Sequence, residues 1–138
     1  MADTQTFSFD RHPESVPEAR ATLDRFEGAL SADQLYDAAL CMSELITNAV
    51  QHPTHGTPGR IELELALTEE LLRVQVVDTG GGFVPAEPTR GEERGWGLFI
   101  VDQLSTRWGV TPGQRTAIWF EIERRPEDVG EAVAASSA

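Results

Sequence analysis

Apolar residues recur at three- and four-residue steps in one segment near the middle of the chain, which predicts a long helix. The helix is expected to start near Asp33, with Ser31 or Asp33 as its cap, and to stop at Pro53. Its apolar stripe consists of Leu35, Ala38, Ala39, Met42, Leu45, Ile46 and Ala49. We expect this stripe to be buried against the core of the domain.

Alternation of apolar and polar residues predicts strands on both sides of this helix. Five strands are expected, at residues 4–10, 61–67, 72–77, 107–110 and 115–123. The first should lie at an edge of the sheet, with Phe7 and Phe9 on one face. The third is more continuously apolar, so we expect it at the centre.

Two further helices are expected, one from Pro17 to about Leu30 with Ser15 as its cap, and one over residues 96–105. Helices and antiparallel hairpins in this order predict an α+β fold. It should be a two-layer sandwich in which a mixed, mostly antiparallel sheet carries helices on one face. Residues 1–125 are expected to form the domain, and the acidic Ala/Ser tail at 126–138 to be disordered.

The charge of the chain limits its partners. There are 23 acids and 11 bases, a net charge of −12, which disfavours direct binding to nucleic acid. All the bases are arginine, so the lysine-dependent phosphate loops of P-loop NTPases and protein kinases are excluded.

The composition indicates no membrane span and no secretory signal, so a cytoplasmic protein is expected. The one cysteine, Cys41, is interpreted as a buried hydrophobe.

Three polar residues lie on the central helix at four-residue spacing: Glu44, Asn48 and His52. They share one helix face beside the apolar stripe. Such a face can offer a base, a metal-binding amide and a polar clamp to a shared ligand. A partly solvated helix edge is the structural alternative.

Two glycine-rich segments follow in the second half of the chain. Asp78, Gly80 and Gly82 come at the end of a strand, where a carboxylate can accept the amine of a nucleotide base and the glycines let the backbone approach the ring. These glycines open a loop over residues 79–95, which is expected to be a mobile lid and which leads to the second segment.

The second segment leads directly into a helix. It reads Arg94-Gly95-Trp96-Gly97-Leu98, and a helix N-terminus of this kind can hold phosphate on its backbone N–H groups. Arg94 would add a forked cation at that position. One segment would therefore recognise a base and the other phosphates.

These motifs together resemble the boxes of the Bergerat-fold (GHKL) ATPases, which include gyrase and the histidine kinases. The short chain is most similar to the stand-alone anti-sigma-factor serine/threonine kinases, and the resemblance extends from Phe7 to Glu123. It departs from the family's pattern at Arg115, where related sequences usually have a glycine before the threonine of the last strand.

The resemblance implies a role for each matched position. Glu44 would be the general base, Asn48 would hold Mg²⁺, and Arg94 would neutralise developing charge. Asp78 would accept the adenine amine, with Thr116 supporting it. The remaining positions implied to contact ATP are His52, Gly80, Gly82, Gly95, Gly97 and Leu98.

Three functions are compatible with these motifs. The first is an Mg-ATP-dependent serine/threonine kinase that phosphorylates a small anti-sigma-factor antagonist, sequesters a sigma factor, or does both. The second is an ATP-gated protein-interaction module with little or no kinase activity. The third is the catalytic half of a split histidine kinase, ranked last because the chain offers no phosphoacceptor helix. A homodimer is compatible with each.

Overall fold

The computed structural model describes residues 3–51, 60–78, 96–111 and 116–124. Within them lie five strands, three α-helices and one 3₁₀ helix. The strands are β1 (Asp3–Asp10), β2 (Arg60–Leu67), β3 (Leu71–Asp78), β4 (Arg107–Thr111) and β5 (Thr116–Glu123). The helices are α1 (Ser15–Ala21), the 3₁₀ helix (Thr22–Phe26), α2 (Ala32–Gln51) and α3 (Trp96–Leu104).

The strands form one sheet in the order β1-β2-β3-β5-β4, and every described pairing is antiparallel. The α+β prediction is confirmed, as are β1 at an edge and β3 at the centre, but the described sheet is antiparallel throughout rather than mixed. A tight turn joins β2 to β3. In it the backbone N–H groups of Glu70 and Leu71 donate to Thr68 Oγ1 at 3.1 and 3.0 Å.

One face of the sheet is covered by the helices. The inward side chains alternate with outward ones along each strand, as the period of two requires. They are fully or almost fully buried, and include Ile61, Leu63, Leu65, Leu72, Val74, Val76, Ile118, Phe120 and Ile122. The stripe of α2 completes this core, with Met42, Leu45 and Ile46 at 0% exposure. Truncating one such side chain to alanine typically costs about 2–5 kcal/mol.

The N-terminus of α2 is closed by a reciprocal capping box. The backbone N–H of Gln34 donates to Ser31 Oγ at 3.1 Å, and the N–H of Ser31 donates to Gln34 Oε1 at 3.3 Å. Ser31 is therefore the cap, and Asp33 lies in the first turn. Gln34 Nε2 also donates to the carbonyl of Glu123 at 2.7 Å, which ties the start of α2 to the end of β5.

The prediction for the first helix was wrong in two respects. The α-helix ends at Ala21 and tightens into the 3₁₀ helix, where the Thr22 hydroxyl donates to the Ala19 carbonyl at 2.5 Å and so competes with the backbone ladder. Ser15 is not a cap either, because its hydroxyl donates backwards to the Asp10 carbonyl at 2.5 Å. Ser15 instead joins the end of β1 to the start of α1.

The other face of the sheet is polar and carries one tryptophan ring, which packs between a glycine and an arginine. Trp119 lies across Gly109, where an added Cβ would come within 2.7 Å of Trp119 Cζ2. The Arg73 guanidinium covers the Trp119 ring at 4.3 Å from its centroid. Glu121 then bridges Arg73 and Arg107 at 3.1 and 2.9 Å.

Two expected segments are outside the described residues: the loop at 79–95 and the tail at 126–138. In the part of the chain that is described, no helix is long and apolar enough to cross a membrane.

Candidate functional site

Glu44 and Asn48 lie one turn apart on α2, and both are half-buried. Their neighbours Leu45 and Ala49 belong to the buried stripe. The two polar side chains therefore follow the edge of the buried face, as the spacing predicts. His52, the third residue of that series, is beyond the described end of α2.

The Glu44 carboxylate is partly desolvated and still reachable. Burial raises its pKa above the ordinary value for a glutamate. Glu44 also lines an open groove of about 520 Å³ between α1 and α2. The other lining residues are Arg20, Tyr36, Ala39, Leu40 and Ser43. Tyr36 is 69% exposed, so the same groove presents a large aromatic side chain to solvent.

Asp78 ends β3 and occupies an inward position. It continues the buried series Leu72, Val74 and Val76, and its side chain is fully buried. The pattern places a carboxylate where a core residue would otherwise stand. Burying a charge in this way is costly unless it is paired, so such a residue is kept for a reason other than packing.

The strand register brings other elements to the same row of the sheet. Asp78 pairs with Ile61 of β2 on one side and with Thr116 of β5 on the other. Ile61 in turn pairs with Phe9 of β1. The backbone of Thr116 therefore stands directly opposite Asp78.

Arg11 also belongs to this site, although no sequence motif contains it. Its Nη2 donates to Asp78 Oδ1 in a side-chain ion pair. The Arg11 side chain is only 10% exposed, and burial lowers its pKa. The residue lies two positions beyond Phe9, so its contact with Asp78 depends on the strand order and register. Nothing local in the sequence could have indicated this pair.

The phosphate segment is described only in part. Trp96 begins α3, as expected, and Gly97 lies in the first turn. The Leu98 side chain is 2% exposed and joins the core, which leaves its backbone N–H as the group for its proposed phosphate contact. Four predicted site residues, Gly80, Gly82, Arg94 and Gly95, are outside the described residues.

Cys41 is buried on α2, as interpreted from the sequence. Burial, together with the charges of Asp37 and Glu44, raises the pKa of its thiol to about 12. At neutral pH the group is therefore an inert thiol, and it contributes packing.

The protein-family comparison agrees with this fold and this placement of motifs. The profile of the histidine kinase-like ATPase domain matches residues 9–122. The chain therefore belongs to the histidine kinase-like ATPase domain family, and an ATPase domain implies ATP as its nucleotide.

Two curated proteins are similar in sequence to this chain. The chain is 30% identical over 108 residues to the serine-protein kinase RsbW of Oceanobacillus iheyensis, covering 67% of this chain and 68% of that protein. It is 33% identical over 89 residues to an uncharacterized protein of Streptomyces coelicolor, covering 62% of this chain and 84% of that protein.

A solved structure shares the fold. It is the crystal structure of the RsbU and RsbW domains of Rv1364c from Mycobacterium tuberculosis, with a TM-score of 0.68 at 20% identity. The match covers 88% of this chain and 32% of that longer one.

Proposed function

We propose that this chain is an Mg-ATP-dependent serine/threonine protein kinase of the anti-sigma type. It would phosphorylate a small antagonist protein and hold a sigma factor when the antagonist is phosphorylated. Support comes from the family, from the similarity to a serine-protein kinase, and from the site on α2. The carrying observation is Glu44: a half-buried carboxylate with a raised pKa, one turn before Asn48 and open to a groove.

Asp78 is proposed to select the nucleotide. A carboxylate accepts hydrogen bonds, so it can bind the exocyclic amine of adenine, whereas the carbonyl oxygen of guanine at that position would be repelled. Thr116, opposite Asp78 in the register, would support the same contact. Gly80 and Gly82 would let the backbone lie beside the ring.

Asn48 is proposed to hold Mg²⁺ through its side-chain oxygen, which is a ligand type that this hard cation accepts. Within the described residues no group of three or more His, Cys, Asp or Glu side chains could bind a metal ion alone. The proposed ligand from the protein is the side chain of Asn48. Bound there, the ion would supply positive charge to the phosphates.

In the phosphoryl-transfer step, the proposed role of Glu44 is to accept a proton. As the substrate Oγ bonds to the γ-phosphorus and the bond from that phosphorus to the β–γ bridging oxygen breaks, Glu44 accepts the hydroxyl proton and ADP leaves. Burial makes the carboxylate a stronger base than an exposed glutamate. Arg94, Gly95, Gly97 and Leu98 would hold the phosphates, and His52 would clamp the ligand at the end of α2.

A protein substrate suits the open groove beside Glu44. Arg20 and Tyr36 would contact the segment that carries the serine, since aromatic and arginine side chains are the usual anchors of protein interfaces. The net charge of −12 is compatible with a protein partner rather than nucleic acid. We place the activity in the cytoplasm, where sigma factors act. A homodimer is compatible with the proposal.

The proposal is tested by transfer of label from γ-labelled Mg-ATP to proteins that co-purify with the chain. Labelled serine or threonine on a small partner, absent in a Glu44→Ala sample, is the expected result. A chain that binds Mg-ATP and retains its partner but transfers no label would instead be the ATP-gated interaction module. Label on histidine would indicate the split histidine kinase.

A further inference from the structure

The ion pair between Arg11 and Asp78 connects the edge of the sheet to its centre. Arg11 follows β1, and Asp78 is on β3, two strands away, a separation of roughly 10 Å at the usual strand spacing. The arginine therefore reaches past β2, the intervening strand, to its partner. A nearby carboxylate, Asp10, is instead paired with Arg60 at 2.5 Å on the exposed side.

The backbone around Arg11 is fixed by the connection between β1 and α1. The N–H of His12 donates to the Asp10 carbonyl at 2.9 Å, and the N–H of Ser15 donates to the His12 carbonyl at 2.9 Å. The buried Ser15 hydroxyl donates to the same Asp10 carbonyl. These bonds fix the backbone on both sides of Arg11, whose side chain contacts Asp78.

The pair is a poor device for stability alone. Arg11 Nε and Nη1, two of the three guanidinium nitrogens, are buried and have no hydrogen-bond acceptor among the described residues. A buried ion pair repays its desolvation only when its geometry is excellent and further hydrogen bonds satisfy the remaining donors and acceptors. Unsatisfied buried donors that persist in a folded protein often mark a functional site.

We propose that Arg11 is a positioning residue for nucleotide recognition, which keeps the Asp78 carboxylate ionised and oriented to accept the amine of adenine. This proposal rests on the proposed function, because it assigns Arg11 to the base-binding side of the same site. One carboxylate oxygen faces the guanidinium, and a carboxylate has four lone-pair positions, so the contact is compatible with a second donor.

The test compares adenosine diphosphate with inosine diphosphate, which carries a carbonyl oxygen in place of the amine and is otherwise matched in sugar and phosphates. Calorimetry on the full chain gives both dissociation constants, and their ratio measures base discrimination. The parent is expected to favour ADP by about tenfold or more, the range for a hydrogen bond to a charged group. Arg11→Met is expected to bring the ratio to within about threefold of one.

Two variants serve as controls. Arg107→Met removes the same charge from the opposite end of the sheet and should keep the parent ratio. Arg11→Lys retains a cation and should keep a ratio between those of the parent and Arg11→Met. A structural role for Arg11 would weaken both nucleotides equally, and an unchanged ratio in Arg11→Met would overturn the proposal.

If Arg11→Met does not fold, the double variant Arg11→Met/Asp78→Asn tests the same proposal. It is expected to fold because it leaves no uncompensated buried charge. Compared with Asp78→Asn alone, it should change ADP affinity by less than about twofold, since Arg11 acts through Asp78. A further tenfold loss would overturn the proposal. A parent chain that binds ADP no better than inosine diphosphate would instead contradict the proposed function of Asp78 itself.

Discussion

Asp78 has a structural and a chemical role that conflict at one residue. Its position on β3 belongs to the core, and its side chain is fully buried, yet it is a carboxylate. The conflict is resolved if the residue is kept for its acceptor oxygens, which Arg11 holds on one side. On the proposed function, the nucleotide preference would depend on this one functional group.

Asp78→Asn should reduce ADP affinity by about 1.5–3 kcal/mol, because the amide is uncharged and presents one acceptor oxygen instead of two. Calorimetry on the variant and the parent measures the difference. Glu69→Gln is the matched control, since it removes one negative charge from the exposed turn at the other end of β3. Unchanged ADP affinity in Asp78→Asn would remove this residue from base recognition.

The difference between Asp78 and Arg11 shows what a sequence can reveal about a site. Asp78 could be singled out as a candidate because it ends a predicted strand and is followed closely by three glycines. Arg11 was not, because its partner is 67 positions away and is reached across an intervening strand. Local patterns report the elements, whereas contacts across strands require the register.

At the scale of elements, spacing predicted most boundaries to within one or two residues. The strands, α2 and α3 repeat their apolar residues at the period of the structure they form. The first helix differs, because the Thr22 hydroxyl competes for a backbone carbonyl and Ser15 bonds to β1. Side-chain hydrogen bonds of this kind leave no periodic signal.

The edge hairpin of β4 and β5 depends on a glycine. Gly109→Ala should destabilise the fold by about 1–3 kcal/mol, because the new methyl group would enter the space of the Trp119 ring, which Arg73 covers from above. Denaturant unfolding measures this. Combined with Trp119→Leu, the same substitution should cost markedly less, and an equal cost in both backgrounds would show that the ring is not the obstacle.

Glu121 on β5 joins its two neighbouring strands through Arg73 and Arg107. Hydrogen bonding from Arg107, and then from Arg73, lowers the pKa of Glu121 against the opposing effect of burial. Its pKa is therefore lower in the folded chain than in the unfolded one. The carboxylate stabilises the fold above the unfolded pKa, and this contribution is lost as the pH falls through the folded pKa.

Glu121→Gln should therefore lower the free energy of unfolding by about 0.5–1 kcal/mol at neutral pH, the range for a partly exposed ion pair. The difference from the parent should shrink as the pH falls below about 4. Urea titrations at several pH values test this. Glu62→Gln on the same face, for which the described residues show no ion pair, is the control, and a pH-independent difference for Glu121→Gln would contradict the account.

At the scale of the whole molecule, the sheet and helices supply a rigid frame with the proposed chemistry at its margins. Asp78 and Thr116 lie at strand ends, whereas Glu44 and Asn48 lie in the second half of α2, which packs against β3 and β5. The glycine segments that would complete the site had a clear sequence signal, but most of their residues, Gly80, Gly82, Arg94 and Gly95, are outside the described residues.

The central claim, that Glu44 is the base of a phosphotransfer reaction, can be tested on one pair of proteins. Single-turnover transfer from Mg-ATP to the protein substrate is measured for the parent and for Glu44→Gln, with nucleotide affinity determined on the same samples. The parent rate should rise with pH as Glu44 ionises, above the ordinary range for a glutamate, because burial raises its pKa. Glu44→Gln should keep its affinity for Mg-ATP and lose about 10²–10⁴ in rate. Equal transfer rates in the two proteins would contradict the account.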